Sequence, residues 1–222
     1  YLGSWLTLKA PFTADELDLD EKNQRSEWVR AVVIQPGTGN ALAVGEREFR
    51  ENGNPTYNRA FTVVVHPLGA VVGVPQTSWA PAFLHDAFRS VAVCGEGFLA
   101  GGWTREPVDP NAKPQPMMFW LAADGALIEH RHLPQLGETE VHGIACDREE
   151  KIVSAGTRSS VSPDAQVFTV TGQSDLPVWY EAGVAEADGA GAMACDPRGF
   201  CGWGGYRMVN GKQYATVRVH HP

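Results

Sequence analysis

"AGAMACDPRGFCGWGGYR", residues 190–207, reads as two short strands around a tight turn, and "HGIACDREEKIVSAGTR", residues 142–158, reads almost the same. A hairpin spelled twice at a spacing of about fifty residues makes the period the first thing to establish. Aligned on this pair, the first strand of a unit occurs four times: "VRAVVIQP" (29–36), "FRSVAVCG" (88–95), "VHGIACDR" (141–148) and "AGAMACDP" (190–197). A second strand follows each, ending in small residues and then arginine: "ALAVGER" (41–47), "GFLAGGWTR" (97–105), "KIVSAGTR" (151–158) and "GFCGWGGYR" (199–207). Third strands are "AFTVVVHP" (60–67), "MMFWLAAD" (117–124), "AQVFTVTG" (165–172) and "YATVRVHH" (214–221). Fourth strands are "AVVGVPQ" (70–76), "ALIEHRHLP" (126–134) and "PVWYEAGV" (177–184).

The residue types agree with strands. "FTVVV" and "VFTV" are β-branched or aromatic, as buried strands prefer, and the 24 glycines and 15 prolines imply many turns. No apolar stripe at helical spacing is sustained; "TADELDLDEKNQ" (13–24) is apolar only at Leu17 and Leu19 and reads as a loop or one helical turn. Short strands repeated in groups of four are the pattern of propeller blades. The chain resembles the bacterial extracellular β-propeller repeats of the NHL and SBBP type. The likeness rests on the hairpin "DPRGFCGWGG" (196–205) and on "DREEKIVSAG" (147–156), where Glu150 replaces the glycine. It is specific for architecture and weak for function, because such blades are reused for many purposes.

The last repeat stops after its third strand, and "YLGSWLTLKAP" at the N-terminus matches "PLGAVVGVPQ" (67–76). The expected fold is therefore one all-β domain over 1–222, a closed propeller of four four-stranded blades near 27–83, 84–138, 139–186 and 187–222 plus 1–12. Residues 4–9 would pair with 214–219 and close the ring, removing exposed edges. The alternative is an excised part of a larger ring.

Composition narrows function. The 222 residues are 43% hydrophobic, enough for a real core, and carry a formal net charge of −8. That balance, without a Lys/Arg cluster, leaves no basic footprint for nucleic acid or an anionic membrane. No apolar run approaches the roughly 18 residues of a membrane span, so no direct membrane insertion is expected. The start has neither signal-peptide character nor Met and reads as processed or trimmed. Propeller repeats of this kind are usually exported, which implies an extracellular, cell-surface or periplasmic protein.

Four groups of residues could carry chemistry. A turn at 197–199 would set Cys195 opposite Cys201, where either a cross-strand bridge or free thiols can form; Cys94 and Cys146 are expected as buried small hydrophobes. His130 and His132 share one face of an outer strand, and His220 and His221 end the chain, but with no third ligand they read as surface histidines, so no metal is expected. Asp18, Asp20 and Asn23 lack the glycine of a calcium loop and read as a solvated connection. Arg47, Arg105, Arg158 and Arg207 end the second strands, Arg105 with an offset, and would ring a channel mouth. Converging guanidiniums suit a carboxylate, phosphate or sulfated sugar; the other reading pairs each arginine with an acid on a neighbouring blade.

No catalytic triad, phosphate loop or metal motif is present, and no cofactor is expected. The sequence therefore points to a non-catalytic binding or protein-interaction propeller, its partner a protein or an anionic or carbohydrate ligand at the mouth. Trp28, Phe49, Tyr57 and Trp103 would supply contact area. The alternative is a hydrolase or lyase using His85, Asp86, Arg105 and Glu106 at that mouth.

Overall fold

The computed structural model describes residues 24–51, 54–77, 85–105, 112–132, 139–146, 152–158, 164–170, 188–196 and 200–220. Among them are fourteen strands and no helix. Sheet 1 orders β1 (Gln24–Ile34), β2 (Ala41–Glu51), β3 (Asn54–Val65) and β4 (Val71–Thr77). Sheet 2 repeats that order with β5 (His85–Cys94), β6 (Gly97–Arg105), β7 (Gln115–Leu121) and β8 (Leu127–His132). Sheet 3 holds β9 (Thr139–Cys146), β10 (Ile152–Arg158) and β11 (Asp164–Val170); sheet 4 holds β12 (Asp188–Cys195), β13 (Cys201–Val209) and β14 (Lys212–His220). Every pairing is antiparallel between chain neighbours. The stretch 177–184 and residues 4–9 lie outside the described residues, and with them the strand expected to close a ring.

Turn chemistry fits these meanders. Asn210 and Gly211 both have positive φ, at 50° and 71°, which is what a two-residue hairpin between right-twisted strands requires. The turn of the opening hairpin is held at its base by the Asp196 N–H donating to the Phe200 carbonyl at 2.8 Å. The Phe200 N–H returns to the Asp196 carboxylate at 3.1 Å.

One irregularity recurs in all four sheets. The first strand of each carries an extra residue opposite two residues of the second, at least one of them glycine. The extra residues are Arg30, Arg89, His142 and Gly191, facing Val44–Gly45, Gly101–Gly102, Ala155–Gly156 and Gly204–Gly205. A β-bulge turns a side chain out of the regular alternation and tightens the local twist. It also crowds the partner strand: a Cβ at Gly45 would overlap the Trp28 carbonyl oxygen, and one at Gly102 would overlap that of Ala87. In sheets 1 and 2 the glycine near the end of the second strand is what admits the bulge.

The sheets pack face to face in chain order. Period-two alternation sends Leu42, Val44, Ala60 and Val64 of sheet 1 against Phe88, Phe98, Ala100, Met117, Phe119 and Leu121 of sheet 2. The opposite face of sheet 2, with Leu99 and Met118, meets Val141 and Ile144 of sheet 3. β12 in turn packs on β9, β10 and β11. β9 and β12 approach closely beside their bulges, where a Cβ on Gly143 would lie 2.7 Å from the Met193 nitrogen.

Two disulfides fasten this arrangement. Cys195 and Cys201 are directly opposite across β12 and β13, with Cα atoms 4.0 Å apart, and are bonded. Cys94 and Cys146, expected as buried hydrophobes, are instead bonded to each other, with Cα atoms 5.3 Å apart. The reason is parity. Cys146 falls four residues after its bulge and Cys94 five, so Cys94 turns to the face of sheet 2 that meets sheet 3. Disulfides persist in oxidising compartments and are rare in the reducing cytoplasm, so the pair indicates a non-cytoplasmic protein.

Candidate functional site

Two of the bulge residues, Arg30 and Arg89, meet at one buried carboxylate. Glu46, on β2 one residue beyond Gly45, is only 2% exposed. Its Oε1 accepts from Arg30 Nε at 2.8 Å and from Arg30 Nη2, and from Arg89 Nη1 at 2.6 Å. Its Oε2 accepts from Asn58 Nδ2 at 2.9 Å. Arg30 and Arg89 come from different sheets, so Glu46 joins sheet 1 to sheet 2. Burial works to raise the Glu46 pKa, but the bonds and fields of the two arginines outweigh it and hold the carboxyl below its ordinary value.

The arginines remain partly open, with side-chain exposures of 40% for Arg30 and 24% for Arg89. Each guanidinium also lies near an indole, Arg30 at 5.8 Å from the Trp28 ring centre and Arg89 at 5.9 Å from that of Trp103. The third bulge residue, His142, sits with its Nε2 3.7 Å from Glu140. Burial lowers its pKa, Glu140 opposes the shift and Arg89 adds to it. Arg89 thus acts on both neighbours, Glu46 on one side and His142 on the other.

The arginines singled out from the sequence are placed differently. Counted from the bulge-facing glycines, Arg47, Arg158 and Arg207 are equivalent, and Thr104 takes that position in sheet 2. Arg105 falls one residue later, turns to the other face and is exposed, 5.9 Å from the Trp103 ring centre. Arg47 is 1% exposed and cannot present its guanidinium to a mouth. Arg207 is half-buried, and its Nε has no hydrogen-bond partner among the described residues. Arg158 pairs by backbone with Asp164 and Thr139, and its side chain lies outside the described residues. Arg47 is therefore not an exposed member of such a ring. An arginine does pair with an acid across neighbouring sheets at Arg89 and Glu46, while Arg30 reaches the same carboxylate from within sheet 1.

His85 and Asp86 act as cross-sheet stitches. Nδ1 of His85 accepts the Asn58 backbone N–H at 3.2 Å, and the Asp86 carboxylate accepts that of Ala60. Burial, helped by Arg105 and Arg59, lowers the His85 pKa. Glu106 lies outside the described residues. His130 stacks on Phe119, with ring centres 5.6 Å apart, and meets the edge of His132 at 5.7 Å. Among the described residues no three His, Cys, Asp or Glu side chains gather to hold a metal. Trp28 is exposed, whereas Trp103, expected to supply contact area, is buried in β6; the Phe49 and Tyr57 side chains, with Asp18, Asp20, Asn23 and His221, lie outside the described residues. Sequence reasoning missed Glu46, Arg30 and Arg89. The signal was the Arg at the second position of both "VRAVVIQP" and "FRSVAVCG".

No known protein family matches this chain, and no curated protein matches it. Among solved structures it is similar to a candidate 6-phosphogluconolactonase from Bacteroides uniformis, at 12% identity and a TM-score of 0.43, over 85% of this chain and 55% of that one. It is also similar to the tail fibre of Staphylococcus aureus phage P68, at 8% identity and a TM-score of 0.33, over 87% and 50% of the two chains. The extracellular domain of a candidate hybrid two-component system from B. thetaiotaomicron follows, at 10% identity and a TM-score of 0.30, over 91% and 34%. The chain thus spans about half the length of the first of these structures. The scores are too low to establish a common fold.

Proposed function

We propose that this chain is a non-catalytic binding module of an exported or cell-surface protein, built as a four-bladed β-propeller whose inner strands hold an anionic group of the ligand. The repeat of four meanders, the recurring bulge and the serial packing of the sheets support the propeller. The observation that carries the function is the convergence of Arg30 and Arg89 on one oxygen of Glu46. Two positive charges share one negative charge there, and both guanidiniums stay partly open. A carboxylate or sulfate bridging them gains charge-assisted hydrogen bonds beside a low-dielectric wall. The ligand class is then a carboxylate-bearing or sulfated carbohydrate, or an acidic segment of a protein. His85 and Asp86, the base candidates of the enzyme reading among the described residues, are engaged with backbone N–H groups.

The test is ligand-dependent melting with citrate, glucuronate and a sulfated disaccharide, each against sodium chloride at equal ionic strength. A saturable rise in melting temperature is expected for at least one, following mass action, and it should vanish in Arg89→Gln relative to that variant's own baseline. No saturable rise with any probe overturns the reading.

A further inference from the structure

The outer strand of sheet 2 carries two imidazoles on one face. His130 and His132 lie two residues apart on β8, opposite Phe119 and Met117 of β7, and period-two alternation turns both to the same side. Both residues are exposed. Their ring centres are 5.7 Å apart, and stacking on Phe119 at 5.6 Å, with 29° between the planes, steadies His130. Arg131, between them in sequence, occupies the opposite face, where its guanidinium lies 5.1 Å from the Trp120 ring centre and its Nε 2.6 Å from Glu129. The strand's own cation is thus held away from the two rings. Among the described residues no hydrogen bond ties up either imidazole.

The separation suits one ion. A transition metal bonded to an imidazole nitrogen at about 2.0–2.1 Å lies about 3.2 Å from that ring's centre. Two rings sharing the ion then have centres about 4.5 Å apart at a right angle and about 6.4 Å apart in line. The observed 5.7 Å falls inside that span. Bringing one nitrogen of each ring inward takes rotation about the second side-chain torsion, which is soft in histidine. We infer that His130 and His132 form a surface site for a divalent transition ion, Cu²⁺, Ni²⁺ or Zn²⁺, with water or a donor from outside the chain in the remaining positions. The third protein ligand, for want of which the pair reads as surface histidines in the sequence, is what a closed site needs and an open one does without. Two protein ligands are fewer than the four of a structural zinc site, so the ion exchanges and the fold does not depend on it. Imidazole favours these ions over Mg²⁺ and Ca²⁺, and affinity should rise from Ni²⁺ to Cu²⁺.

Two measurements test it. In the first, Ni²⁺ is added to the native chain and the modification of each histidine by diethyl pyrocarbonate is mapped peptide by peptide. His130 and His132 should be protected along one shared saturation curve, reacting about tenfold more slowly at about ten times its midpoint, as mass action requires. His66, exposed on sheet 1, should keep its rate and serves as the control. No protection into the millimolar range, two separate midpoints, or equal protection by Mg²⁺ overturns the site. In the second measurement one ring is removed, which leaves nothing to chelate. His130→Asn and His132→Asn should each raise the midpoint at the remaining histidine by about tenfold or more, at least what loss of an outer-shell partner costs a metal site. A smaller shift in either variant shows that the rings bind separately and overturns the inference. Both variants should melt like the native chain in EDTA, and the first measurement, made on the native chain, stands whether or not they fold.

Discussion

Glu46 is enclosed and still ionised because Arg30 and Arg89 return, at one oxygen, what its burial costs in lost hydration. Removing that charge strands two cations beside a low-dielectric wall. Breaking a buried pair typically costs 3–5 kcal/mol; because both arginines stay partly hydrated, Glu46→Gln should cost less, about 2 kcal/mol. Urea midpoints of the two proteins at neutral pH measure this. The acid limb separates them too. The folded pKa of Glu46 lies below its ordinary 4.5, so its contribution is complete above that value and is lost as pH falls through the folded pKa. Native protein should therefore lose stability below about pH 4.5 more steeply than Glu46→Gln. A parallel decline in both would show that the carboxylate contributes nothing.

Scaled up to the strand, the bulge explains which glycines the fold needs. Gly45→Ala should destabilise by roughly 1–3 kcal/mol or more, because the Trp28 carbonyl must move. Gly191→Ala, whose Cβ would meet only the Gly204 carbonyl oxygen at an ordinary 3.7 Å, should stay within about 0.5 kcal/mol of native. Thermal melts of the pair are a direct comparison, and equal losses would refute the bulge argument. Strands, hairpins and their antiparallel order were legible in the sequence because β-branched runs and turn residues mark them locally. The bulge was not, since one inserted residue leaves no mark in composition yet inverts every side chain beyond it. Cys94 lies one residue further from its bulge than Cys146, and that step of parity hid their bond. The uncounted bulge also drew attention to Arg47, buried on the second strand, and away from Arg30 and Arg89, which project from the first.

For the whole molecule the bond between sheets 2 and 3 is the larger constraint. Its cysteines are 52 residues apart against 6 for Cys195–Cys201, and loop-closure entropy grows with that separation. By that chain-entropy estimate the Cys94→Ala/Cys146→Ala protein should lose about 4 kcal/mol and the Cys195→Ala/Cys201→Ala protein about 2. Melting of both in the absence of reductant ranks them, and the reverse order would count against the estimate. The outer end of the stack is apolar: Val217 and Val219 on β14 are 80% and 71% exposed. If residues 4–9 add a strand to β14, deleting 1–10 bares that edge and should yield a soluble but aggregation-prone chain. Unchanged monodispersity and melting temperature would reject the closure.

The two disulfides also bear on how the protein is made. Each bond joins cysteines that follow one another along the chain, first to second and third to fourth. A polypeptide delivered N-terminus first into an oxidising compartment exposes each thiol just before its proper mate, so pairing in order of appearance yields the native bonds. Its maturation needs an oxidant and no reshuffling step, whereas a crossed pattern would depend on slow thiol–disulfide exchange.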